Sequence, residues 1–175
     1  VYVGASHGAP ANIGNRLVID IGGGSTEFII GQGYEPKLLE SLYIGCVSHS
    51  QKFFANGAID AYSFKQAELA ARQEIQIISK EYRKKGWDQV IGSSGTAKAI
   101  AELISFNRLS SESIRKSDPF GSDILSVITR DGLEALKTSL IESEFVQHSK
   151  LLGLKPDRRH VLPGGLAIMI AAFDE

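Results

Sequence analysis

The spacing of apolar residues changes once along the chain, at Gly45. Before it, the apolar runs are short, nearly continuous and β-branched. RLVIDI (16–21) reads as a strand buried on both faces, STEFIIG (25–31) as a second strand and PKLLESLYIG (36–45) as a third. The links between them are too short for crossovers, so the three are expected to form an antiparallel meander. After Gly45 the period becomes helical. In 63–86 the apolar positions Ala67, Ala70, Ala71, Ile75, Ile78 and Tyr82 line one face, with Ser63 as the expected N-cap and Gly86 as the stop. A short strand is expected at 87–92, a tight SSGT loop after it, and helices over 97–106 and 129–143, the latter capped by Thr129. Residues 107–121 read as a polar looped excursion. EFVQHSKLLGLKPDRRH (144–160) reads as a short helix and a loop, and the apolar stretch around GGLAIMIAAF (164–173) as a final core helix. Strands followed by strand–loop–helix units predict an α/β fold, a mixed sheet with helices packed on it.

Composition narrows the class without deciding it. The chain has 175 residues, 43% apolar and 22% charged, enough for one compact domain with a real core and too few for two comfortable ones. Nineteen Lys and Arg against twenty Asp and Glu leave a net charge of −1, so no nucleic-acid or membrane partner is expected. The single cysteine, Cys46, excludes an internal disulfide and fits a reducing, cytoplasmic setting. No apolar run reaches membrane-span length and no signal-peptide pattern opens the chain. It starts at Val1 without Met and stops within a helical pattern, which reads as a piece of a longer protein.

The chemistry concentrates in LVIDIGGGSTEFIIG. Gly22, Gly23 and Gly24 interrupt two β-branched runs, with Asp20 on one side and Glu27 on the other. Glycine weakens a strand, so bare backbone is needed here for some other purpose. Consecutive N–H groups in a tight turn form a concave nest for phosphate oxygens, which side chains would obstruct. An acid beside such a turn can hold a divalent cation that bridges those oxygens, and Glu27 can add a second oxygen ligand or orient water. A P-loop fits less well because no Lys occurs between Arg16 and Lys37, and a dinucleotide fingerprint because EFIIG is strand-like, not helical. The competing account is a ligand-free glycine hairpin, although a hairpin rarely needs three glycines and two flanking acids.

Two further stretches carry weaker signals. VIGSSGTAKAI (90–100) places Ser94, Gly95 and Thr96 at the start of a helix, which is either an anion site or an ordinary Ser/Thr-capped turn. VLPGGLAI (161–168) is better explained by close backbone packing. Cys46 and His49 read as core residues and not as a catalytic pair, and His148 and His160 lack metal-ligand spacing. KPDRRH (155–160) is either a polyanion contact through Arg158 and Arg159 or a solvated loop.

The four segments LVIDIGGGSTEFIIG, SLYIGCVSHSQKFF, VIGSSGTAKAI and HVLPGGLAIMIAAFDE, in this order and at these separations, resemble the exopolyphosphatase / guanosine pentaphosphate phosphohydrolase family. That family sits in the superfamily of actin, heat-shock chaperone ATPases and sugar kinases, whose cores are two RNase H-like domains facing across a cleft. The resemblance implies that residues 1–175 are the second of these domains. It implies Mg²⁺ or another divalent cation at Asp20 and Glu27, and a phosphate cradle at Gly22, Gly23, Gly24, Ser25 and Thr26. Phosphate or nucleoside contact is implied at Ser94, Gly95 and Thr96. It also implies release of terminal phosphate from polyphosphate or guanosine pentaphosphate, with Glu27 organising water or metal. The general-base Glu would lie in the first domain, just upstream of VYVG and outside this chain, and a homodimeric parent is one arrangement open to it. Two other readings of the superfamily stay open: an ATP-dependent sugar or acid kinase relative, and a non-catalytic nucleotide-binding domain.

Overall fold

The computed structural model describes Tyr2, Gly4 and residues 14–110 and 127–175; most of the excursion expected at 107–121 lies outside the described residues. Three strands form the expected meander. Strand β1 (Arg16–Ile21) pairs antiparallel with β2 (Thr26–Gln32), in register from Arg16 opposite Gly31 to Ile21 opposite Thr26, and β2 pairs antiparallel with β3 (Glu35–Leu42). Strand β4 (Gln89–Gly92) runs parallel to β1, making a mixed sheet in the order β3-β2-β1-β4. The third strand ends at Leu42, short of the expected Gly45. Its continuation turns away because Gly45 lies directly on the backbone of Gly23 and Gly24, where a Cβ would collide.

The two faces of the sheet have different fates. Leu17, Ile19, Ile21, Phe28 and Ile30 point into the main core. On the other face Val18 and Ile29 form a small cluster with Tyr2 and Ile91. Asp20 and Glu27 alternate onto this second face, at the end of β1 where the chain turns.

Among the described residues after the meander come the helices α1 (Cys46–Phe53), α2 (Ala61–Lys85), α3 (Gly95–Phe106), α4 (Arg130–Glu142), α5 (Pro156–Arg159) and α6 (Leu162–Asp174), with a 3₁₀ turn at Val146–His148. Helix α6 is the centre of the core: every residue from Leu162 to Ala171 is buried, and α1, α2 and α4 pack along it. Its first turn admits close neighbours, as the PGG reading expects. A Cβ on Gly164 would meet Ser50 of α1, and one on Gly165 would meet Thr96 of α3. Two helix starts differ from expectation. Asp60, not Ser63, caps α2, its carboxylate accepting from Ser63 N at 2.8 Å and Ser63 Oγ at 3.0 Å. Helix α3 begins at Gly95, two residues before the expected Ala97, because Ser94 Oγ accepts from Ala97 N at 3.1 Å. Thr129 caps α4 and Gly86 ends α2, as expected. Among the described residues no helix is long and apolar enough to cross a membrane.

Candidate functional site

The β1–β2 turn has two unlike sides. Gly22 N donates to Ser25 O at 2.9 Å and closes it. On the inner side the carbonyl of Gly22 accepts from Cys46 N at 2.8 Å, and that of Gly23 accepts from Val47 N and Ser48 N at 2.9 and 3.2 Å. The turn therefore caps the N-terminus of α1, whose positive dipole end lies directly beneath it. On the outer side the N–H groups of Gly23, Gly24 and Ser25 donate to no described residue. Three successive N–H groups without a described acceptor, beside the N-terminus of α1, are suited to an anion.

The three glycines have different reasons for being glycine. None of them has a positive φ. A Cβ on Gly22 would press on Ser25 O at 3.1 Å and one on Gly23 would touch Val47 Cγ2 at 3.4 Å, whereas one on Gly24 would have no atom within 4 Å. Neither strain nor packing accounts for Gly24.

The two acids are brought together. Asp20 and Glu27 are direct cross-strand partners, which places their Cβ atoms roughly 5 Å apart and sets like charges opposite each other, an unfavourable pairing without a cation. Two serines hold Glu27: Oε1 accepts from Ser25 Oγ at 2.6 Å and from Ser41 Oγ at 3.0 Å. Asp20 Oδ2 accepts from Ser93 Oγ at 3.1 Å. The remaining carboxylate oxygens accept from no described residue. Among the described residues no cluster of three or more His, Cys, Asp or Glu exists, so this is no closed metal cage. Two carboxylates beside an anion cradle match the habit of Mg²⁺, which keeps several waters and takes one or two carboxylates plus substrate phosphates. Asp20 and Glu27 are the residues that would hold it.

The whole chain, residues 1–175, matches the model of the Ppx/GppA phosphatase family. The chain belongs to that family. It is 40% identical over 174 residues to a putative exopolyphosphatase of Haemophilus influenzae, covering 99% of this chain and 49% of that protein. It is 35% identical over 174 residues to a guanosine-5′-triphosphate,3′-diphosphate pyrophosphatase of Vibrio parahaemolyticus, covering 99% of this chain and 32% of that one. The chain thus spans about half, or less, of the length of these curated relatives. The fold matches the Ppx/GppA family member of Aquifex aeolicus with a TM-score of 0.74 at 23% identity, over 99% of this chain and 52% of that chain. An exopolyphosphatase from Cytophaga hutchinsonii matches with a TM-score of 0.73 at 18% identity, over 99% and 54%.

Within this Ppx/GppA chain the other expected contacts divide into exposed backbone and structural side chains. Thr26 is fully buried and gives its hydroxyl to Ile44 O at 2.7 Å. Thr96 is buried and gives its hydroxyl to Ile21 O at 3.0 Å, tying α3 to the end of β1. Ser94 is occupied as the cap of α3, so what this loop offers a ligand is the backbone N–H of Gly95 and Thr96, which donate to no described residue. The sequence does not single out Ser41, and it presents Ser93 as part of the loop before α3 and not as the partner of Asp20. The signal for Ser41 was the register of the hairpin, which puts it opposite Glu27.

Cys46 and His49 do not form a pair. His49 is buried, its Nε2 lies 2.8 Å from Ala67 O, and its ring packs on Phe53 with centroids 4.8 Å apart. Burial pushes its pKa below the usual 6.5, and nearby Lys52 adds to this against the opposing bond to Ala67. The two arginines of KPDRRH separate as well. Arg159 Nη1 donates to Val146 O at 3.3 Å and Gln147 O at 2.8 Å, holding the 3₁₀ turn. Arg158 lies flat against Gly95.

Proposed function

We propose that this chain is the second half of a two-domain catalytic core that hydrolyses the terminal phosphoanhydride of polyphosphate or of guanosine pentaphosphate. The observation that carries this reading is the row of three N–H groups at Gly23–Ser25 that donate to no described residue, between two cross-strand carboxylates. The relatives' names point to those substrates. The turn and the start of α3 receive the phosphate oxygens. Asp20 and Glu27 would hold Mg²⁺, which when bound would neutralise charge on the transferring phosphoryl group. A general-base Glu from the other half takes a proton from water as its oxygen bonds to the terminal phosphorus. The P–O anhydride bond breaks and the shortened chain leaves. Ser25, Ser41 and Ser93 fix the carboxylates so that they need not reorganise during the reaction. A reducing, cytoplasmic setting suits the buried free thiol of Cys46.

Phosphate release by the full-length protein from polyphosphate, guanosine pentaphosphate and ATP tests the reading. Turnover of either of the first two, with ATP poor, is expected. Asp20→Ala should then lower kcat by roughly 100-fold, the loss typical of one preorganised electrostatic element, without unfolding the protein. Preferential use of ATP with transfer to a hydroxyl acceptor, or a folded Asp20→Ala enzyme of normal rate, would overturn it.

A further inference from the structure

The connection from β3 to α1 carries one side chain that the rest of the described fold does not use. Tyr43 is 94% exposed, more than any other large apolar side chain among the described residues. Its hydroxyl bonds to no described residue and its ring meets no other ring. Single exposed apolar residues are common on protein surfaces. Tyr43 differs because its backbone is fixed on both sides. Its neighbours Leu42 and Ile44 are both buried. Ile44 N donates to Leu42 O at 2.8 Å, which closes a γ-turn with Tyr43 at its tip. Ile44 O in turn accepts from the buried Thr26 Oγ at 2.7 Å. Two buried anchors and a tight turn hold a ring that is left almost wholly in solvent.

The position of that ring is set by the glycine turn. Ser41, two residues before Tyr43, holds Glu27 at 3.0 Å. Gly45, two residues after it, rests on the backbone of Gly23 and Gly24. Two residues span at most about 7 Å of extended chain, so Tyr43 stands at the rim of the turn. Val47, the other exposed apolar side chain of this connection, lies against Gly23. Backbone N–H groups and carboxylates recognise phosphate and metal, and neither reads what the phosphates are attached to. An aromatic face beside them adds a different chemistry, because nucleic-acid bases stack on tyrosine. Holding the backbone under the ring in advance reduces the entropy lost when such a base binds. Inorganic polyphosphate has no group for this face.

We propose that Tyr43 is a specificity residue, stacking on the purine base of guanosine pentaphosphate while the terminal phosphate lies on the Gly23–Ser25 turn. The proposal rests on the phosphatase reading given above and selects the nucleotide within it. Tyr43 takes no part in the bond-making step, so its contribution is to affinity and not to turnover.

The test compares wild type, Tyr43→Ala and Tyr43→Phe in the full-length protein on guanosine pentaphosphate and tripolyphosphate. In Tyr43→Ala, KM for guanosine pentaphosphate is expected to rise about tenfold with kcat unchanged, the size of one lost base–aromatic stack. KM for tripolyphosphate, which has no base, should stay within about twofold. Tyr43→Phe keeps the aromatic face and should stay within about twofold of wild type on both substrates. All three proteins should melt together, because the side chain is outside the core. Unchanged KM for guanosine pentaphosphate in Tyr43→Ala would overturn the proposal, as would a wild type that uses tripolyphosphate alone. An equal rise on both substrates would also overturn it, placing Tyr43 against the phosphates or the other half of the core. So would a Tyr43→Phe protein as weak as Tyr43→Ala, which would make the hydroxyl the contact, or a lowered melting temperature, which would make Tyr43 a packing residue. Equilibrium binding keeps the two readings separable. A wild type that turns over neither substrate refutes the phosphatase reading. The stack then stands if Tyr43→Ala loses affinity for guanosine pentaphosphate and keeps it for tripolyphosphate, and falls otherwise.

Discussion

Gly24 and Gly45 separate two reasons for a glycine that the sequence presents identically. Gly45 is bare because the backbone of Gly23 and Gly24 rests on it, and Gly24 is bare with open space above it. Gly45→Ala should therefore cost about 1–3 kcal/mol of stability through overpacking, read as a lower denaturation midpoint. Gly24→Val should leave the midpoint within about 0.5 kcal/mol and weaken phosphate binding. Equal effects on stability would remove the distinction. Thr26 and Thr96 make the converse point. Both stand in motifs that look ligand-facing, yet their hydroxyls are buried tethers to Ile44 and Ile21. Thr96→Val should destabilise by about 1–3 kcal/mol, because the Ile21 carbonyl is left unsatisfied. That Asp20 and Glu27 flank a glycine turn was legible in the sequence, because three glycines between two β-branched runs read as the turn of a hairpin. Ser41 and Ser93 were not, because serine is common and only strand register brings it to a carboxylate.

Helix α1 shows where local pattern stops. The N-cap of α1 is Gly45, which has no side chain to cap with, and the first N–H groups of CVSHSQKF are satisfied by carbonyls from the distant glycine turn. A cap supplied by tertiary structure leaves no mark in the segment itself. The long helix α2 was legible from its buried face of Ala67, Ala71, Ile75, Ile78 and Tyr82, and only its cap was misplaced. Helix α1 also carries a pH dependence. His49 is held neutral by burial, so its pKa in the folded protein lies below the unfolded value of 6.5. Above that value neither state binds the proton; as pH falls below it the unfolded chain protonates first and stability drops. The melting temperature should fall from about pH 7.5 to about pH 5.5, and His49→Gln should flatten that portion of the curve. Parallel curves for the two proteins would show that His49 does not titrate as its burial requires.

The folded chain gathers the candidate site at one end of the sheet. The glycine turn, the start of α3 and the two acids meet where β1 ends, with α6 buried behind them. The mixed sheet was readable from the change in apolar period, since antiparallel neighbours follow short links and the parallel β4 follows a long helical crossover. In-line phosphoryl transfer needs a nucleophile held opposite these groups. Residues 1–175 alone are therefore expected to bind phosphate weakly and to release none. The decisive experiment follows the backbone amides of this chain by NMR during titration with tripolyphosphate and Mg²⁺. The amides of Gly23, Gly24 and Ser25 should shift most and saturate together, with the shifts lost in Asp20→Ala when Mg²⁺ is required for binding. Saturable binding that leaves those three amides unmoved would contradict the account.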